Sequence, residues 1–181
     1  MGNVRNWTAI IAVGCLLLFL PWSQAAAPKI TIKAERMEHS LTENITNCYG
    51  ASDPVQVNYG SWELKGQFAS WDQKADQVLV KGQVTVVQKT EEPMILTCQQ
   101  LKFWPGKERF EATGSVAIQR GELKAAAGSA QGERQQIVLT ENPSLTRAGD
   151  QIRGQTITLL LSPEEKILVE KAAAEIEASE K

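Results

Sequence analysis

Few residues in this chain could do chemistry. Its one histidine, His39, lies in the polar stretch Glu38-His39-Ser40, which reads as an exposed first turn. A metal site needs several ligands at short spacing, and beyond residue 25 one histidine with two distant cysteines, Cys48 and Cys98, does not supply them. No glycine-rich phosphate loop opens a helix, and there is no Gly-x-Ser-x-Gly elbow. Carboxylates are plentiful, as in Glu91-Glu92, Glu164-Glu165 and Asp72 with Asp76. They sit at turns, where solvated charge is the ordinary explanation; a catalytic pair forms in space, so sequence alone does not decide it. A net charge of −2 leaves no basic excess to hold a nucleic-acid backbone. The expectation is a protein that is not an enzyme and uses no metal or cofactor.

Two other residue types invite a role. In an oxidising compartment Cys48 and Cys98 either pair or remain two small buried hydrophobes. Pairing would close a loop of about 50 residues and add ~4 kcal/mol in the chain-entropy account. Trp62, Trp71 and Trp104 fall near expected strand ends, where an aromatic ring caps a core or contacts sugar or lipid; capping is the plainer reading. The acceptor triplets Asn6-Trp7-Thr8 and Asn44-Ile45-Thr46 are short enough to arise by chance and are set aside.

The first 25 residues are of a different kind. Arg5 gives a positive start, Trp7 to Trp22 is almost wholly apolar, and Ser23-Gln24-Ala25 supplies small residues for cleavage. This is the form of a secretory signal peptide; the rival is an uncleaved N-terminal anchor, although the run is short for a spanning helix of ~20 residues. Cys15 is not read as a lipidation site, because Leu16 to Leu20 continue the apolar run beyond it. Residues 26–181 then form one expected domain.

That domain must position its side chains on strands. Ile30, Ile32 and Ala34 alternate with polar residues, as do Val55, Val57 and Tyr59, and Ile157, Leu159 and Leu161. Period-two alternation means one buried and one wet face. The pattern also repeats. Val78, Val80, Gly82, Val84 and Val86 are followed by Phe110, Ala112, Gly114, Val116 and Ile118 in the same arrangement. Gly50, Gly82 and Gly114 fall at equal intervals, with Asn142 and Ala172 as weaker successors. Turns are expected at Asp72 to Asp76, Pro105 to Glu108, Gly132-Glu133-Arg134 and Ser162-Pro163-Glu164. A glycine between two strand halves marks a bulge or bend, so stacked hairpins should make a twisted sheet folding over itself. On this index Ile137 and Leu139 are one residue out of phase, which a bulge near Glu141-Asn142-Pro143 would repair. Lys171 to Lys181 reads as a last strand or a short helix.

Together these segments resemble a known family. Gly149 to Leu159, a polar turn and Lys166 to Val169 look like the OstA-like repeat of periplasmic lipopolysaccharide-transport proteins. Lys81-Gly82-Gln83-Val84-Thr85-Val86 and Thr113-Gly114-Ser115-Val116-Ala117-Ile118 resemble its closing element, and Ile30 to Met37 its first strand. The long Tyr49 to Gly60 region with Asp53-Pro54, and Asn142-Pro143 in place of a glycine, depart from the pattern. The resemblance implies an all-β fold, a half-open twisted antiparallel β-jellyroll built from repeated hairpins. It also implies a periplasmic bridge between inner and outer membranes that passes lipopolysaccharide along an apolar groove, each buried CH₂ being worth ~0.8 kcal/mol.

Phase places Val78, Val80, Val84, Val86, Phe110, Val116 and Ile118 on one face, and Ile157, Leu159, Leu161, Ile167 and Val169 on another. On phase alone these are the dry core of any β-fold; the resemblance makes them groove lining for lipid A acyl chains. Edge strands at Ile30 to Ala34 and Ile167 to Lys171 would take partner strands. The implied partners are other jellyroll transport components and, head to tail, further copies of the chain. Two alternatives stand beside this reading. One is an inner-membrane-anchored component of the same export pathway, facing the periplasm, for which the leader stays uncleaved. The other is a structural β-repeat protein of the envelope that binds no lipid.

Overall fold

The computed structural model describes residues 28–161 and 166–175. The leader, Cys15, the Ser162-Pro163-Glu164 turn and the tail beyond 175 lie outside the described residues. Among the described residues, sixteen strands form one antiparallel sheet. In chain order they are β1 Thr31–Lys33, β2 Arg36–Ser40, β3 Ile45–Tyr49, β4 Val55–Tyr59, β5 Trp62–Gly66, β6 Phe68–Asp72, β7 Gln77–Gln88 and β8 Met94–Trp104. Then follow β9 Arg109–Arg120, β10 Leu123–Glu133, β11 Gln136–Thr140, β12 Ser144–Arg147, β13 Asp150–Arg153, β14 Thr156–Leu160, β15 Lys166–Glu170 and β16 Ala173–Glu175.

The four long strands β7 to β10 belong to two leaves at once. One half of each pairs in a first leaf with β1, β4, β5, β12, β13 and β16; the other half pairs in a second leaf with β2, β3, β6, β11, β14 and β15. Between the halves the register slips, at Lys81/Val84, Thr97/Gln100 and Ala127/Ser129. Each slip is a β-bulge, which bends its strand, and side by side they make a crease. Gly82 and Gly114 sit in it at φ 78° and 81°. That region favours glycine, and a Cβ there would also come within 2.5 Å of Gln67 or 2.8 Å of Gln99. The following residues, Gln83 and Ser115, are left-handed too.

The third copy uses the same device without glycine. Glu141 and Asn142 have φ 63° and 58°, and the Gly128 N–H donates to the Glu141 carbonyl at 2.9 Å. The repeat therefore indexes on Glu141, not Asn142. On that index Ile137, Leu139, Pro143 and Leu145 are in phase and buried, so no extra bulge is needed. The last copy likewise turns at Lys171 (φ 51°) and not at Ala172.

Turns follow side-chain chemistry. The Asp72 carboxylate accepts from the N–H groups of Lys74 and Ala75 at 2.9 and 3.0 Å, an Asx turn. Pro105–Lys107 forms one 3₁₀ turn closed by left-handed Glu108. The third turn lies later than expected: Gly132 and Glu133 remain in β10, and the chain reverses at Arg134-Gln135. His39 is not in a turn; it pairs with Thr46 inside the β2–β3 ladder. The long connection after Tyr49 is tied down by the Glu35 carboxylate, which accepts from Asp53 N at 2.7 Å and Ser52 N at 2.8 Å. These bonds, that from Asp53 first, hold the Glu35 carboxyl below its ordinary range.

The leaves face each other. Trp62 of the first leaf lies 5.4 Å from Phe103 and 6.2 Å from Phe110 of the second, and Tyr59 lies 6.1 Å from Phe103. These tilted and edge-on contacts join the two rims opposite the crease. The fold is a half-open β-jellyroll with its core between the leaves.

Candidate functional site

Directly paired residues of neighbouring strands point to the same face, so the ladder registers trace the inner wall row by row. In the first leaf one row runs Ile32, Val57, Leu64, Val86, Leu96, Ile118, Ala125, Leu145 and Ile152. In the second leaf another runs Cys48, Ala69, Val80, Leu101, Ala112, Ala130, Leu139, Ile157 and Val169. Both are apolar from one end of the stack to the other. Among the described residues no polar or charged side chain is buried. The space between the leaves is thus an apolar trough running across the strands.

Its cover varies along its length. Val78, Val80, Val84, Val86, Phe110, Val116, Ile118, Ile157 and Leu159 are buried. Leu161, Ile167 and Val169 are only partly covered, as are Ile30, Ile32 and Ala34 at the other end. The middle is packed shut by the leaves and the aromatic contacts across the rims, while each end leaves apolar wall half open. A feature the sequence reading missed is this closure: Tyr59 and Trp62 meet Phe103 only because the sheet folds over, and no local spacing announces it. Trp62 caps the core, whereas Trp104 lies on the outside with the Arg109 guanidinium 4.9 Å above its ring.

Among the described residues four strands end the sheet instead of two: β1 and β16 in the first leaf, β2 and β15 in the second. Strands β1 and β15 are the expected edges, and β2 and β16 join them because each leaf has its own pair.

Cys48 and Cys98 are both free and buried rather than joined. They sit on β3 and β8, and β6 and β7 intervene along the ladder, which puts their strands about 14 Å apart in the sheet. Burial pushes the Cys98 thiol up to about 11 and raises that of Cys48. Such protonated thiols are inert packing groups. No group of three metal-ligating side chains occurs among the described residues, and no helix there is long and apolar enough to cross a membrane.

Among solved structures, the chain is similar to the crystal structure of LptH from Pseudomonas aeruginosa, described as the LptA-homologous periplasmic component of the conserved lipopolysaccharide transport device. The identity is 12%, the TM-score 0.44, and the match covers 83% of this chain and 96% of that one. No curated protein sequence matches. Residues 31–164 match the family described as LptA/(LptD N-terminal domain) LPS transport protein, whose members are transport proteins and not enzymes. The chain belongs to that family of lipopolysaccharide transport proteins.

Proposed function

We propose that the protein is a periplasmic bridge component that carries lipopolysaccharide with its acyl chains in the trough between the leaves. The observation that carries this is the inner wall itself, which has an unbroken apolar row along each leaf and is half uncovered at both ends. A closed structural core would be capped at its last strands. Here Ile32 at one end and Val169 at the other leave apolar surface to be covered. Each methylene moved from water onto such a wall gains ~0.8 kcal/mol, so transfer needs no reacting group, only a continuous path. In the middle, passage requires the rims to part around Trp62. The edge strands β1 and β15 supply the remaining need. Their free backbone groups accept a strand from a neighbouring jellyroll component or another copy, which would extend the trough head to tail.

Site-specific photo-crosslinking tests this. A photoreactive side chain at Val169, Leu161 or Leu159, introduced in a lipopolysaccharide-bearing host, is expected to yield lipopolysaccharide adducts. The same group at exposed Lys74 is expected to yield none. A folded protein that gives no adduct at any trough position would leave a dry structural core and defeat the transport reading.

A further inference from the structure

One row of the second leaf departs from the apolar rule, at the end formed by β2, β3 and β6. Register sets His39, Thr46, Trp71 and Val78 side by side on the inner face. His39 Nδ1 and Thr46 Oγ1 lie 2.9 Å apart, joined by a hydrogen bond. The Trp71 ring packs against the core, yet its Nε1–H is buried and meets no acceptor in the protein. An indole N–H can only donate, and buried donors in folded proteins are almost always satisfied. The trough is open just outside this row, since Met37, the neighbouring inner residue of edge strand β2, is 48% exposed. Further in, Val78, Phe103 and Phe110 continue the apolar wall.

The sequence of environments is therefore an open mouth, a single unsatisfied donor, then apolar wall. A ligand that matches it has an acceptor oxygen where an apolar chain begins, which is the chemistry of an acyl ester or amide. We propose that Trp71 Nε1–H donates to an acyl carbonyl of the lipid, with the His39–Thr46 pair walling the same polar step. It thereby sets how far the chain enters from this end. A free alkyl chain would have no reason to stop there; an acylated lipid would. The proposal rests on the trough carrying lipid and adds the chemical group that is recognised.

The test removes the N–H and little else. In the full chain, Trp71→benzothienylalanine puts sulfur in place of N–H in a ring of nearly the same shape, and Trp71→Phe serves as a genetically simple second variant. Binding is measured for lipopolysaccharide, for a diacyl phospholipid and for its dialkyl-ether analogue, which lacks carbonyls. The expected result is a loss of about 5- to 10-fold for the ester-bearing lipids, tenfold being 1.4 kcal/mol, with the ether lipid unchanged and no fall in melting temperature for the benzothienyl variant. A loss confined to lipopolysaccharide supports the proposal and assigns the carbonyl to that lipid alone. Equal losses for ester and ether lipids would make Trp71 a packing residue and overturn it, as would no loss at all. If the unaltered protein binds none of the three, the transport reading itself fails and takes this inference with it; binding that survives while the ester preference is absent removes only the inference.

Discussion

The middle and the ends of the stack are built from the same alternation but behave differently. Strands β7 to β10 cross the crease and serve both leaves, and their inner side chains are sealed: Leu101 and Phe103 are 1% exposed. The end strands β1, β2, β15 and β16 are three to five residues long and lie each in a single leaf. Their inner residues Ile32, Ile167 and Val169 are apolar too, yet half covered. An inner side chain in the middle has a strand on either side and the opposite leaf above it, and one at an end lacks a neighbour. Exposure of the apolar wall is thus a property of place in the stack and not of composition. The ends are where a lipid or a further strand has something to gain.

Trp62 is where that contrast breaks most readily, since it holds the rims together over Phe103 and Phe110. Trp62→Ala is expected to lose about 3–5 kcal/mol, seen as a lower denaturant midpoint. A loss under about 0.5 kcal/mol, the range of an unimportant surface change, would mean the middle is not closed by this cluster. A paired substitution sharpens the comparison. Leu101→Ala in the middle should cost about 2–5 kcal/mol through transfer and cavity terms. Ile167→Ala at the end should cost half of that or less, because less of the side chain leaves water on folding. Equal losses in parallel denaturation curves would show that the end is as closed as the middle.

Much of this contrast follows from residues readable in advance. Val78 to Val86 and Phe110 to Ile118 announce bent strands because glycine stands at the bend, and the family resemblance rests on the same segments. Where Glu141 and Asn142 take the left-handed conformation without glycine, the index slips by one, since asparagine marks the bend but the glutamate that opens it does not. His39 reads as turn because Glu38 and Ser40 flank it, whereas its register with Thr46 places it on the inner wall. The closure of Trp62 on Phe103 joins residues on different leaves, and the free state of Cys48 and Cys98 depends on how many strands separate them. Local alternation reports which face a side chain takes; contacts made by folding the sheet over are set by the crease and lie beyond its reach.

The smallest expected effect belongs to the outside of the same wall. Glu63 and Leu64 are successive residues of β5 and point to opposite faces; Leu64 is fully buried. The Glu63 carboxylate instead meets Lys65 Nζ at 2.6 Å and Lys89 Nζ at 2.5 Å. These partners, the Lys65 hydrogen bond first, bring its pKa down from 4.5 to about 2. A carboxyl whose folded value is depressed stabilises the fold above its unfolded value, and that contribution is lost as pH falls through the folded one. The window is therefore pH 4.5 to about 2. Glu63→Gln should lower stability at neutral pH by under about 1 kcal/mol, as exposed lysine partners allow. The gap from the unaltered protein should shrink through that window and close at its acid end. Urea midpoints at neutral pH and near pH 2 check this. A gap that persists in acid would mean Glu63 acts by packing rather than charge, and the outer face would then share the role of the inner one.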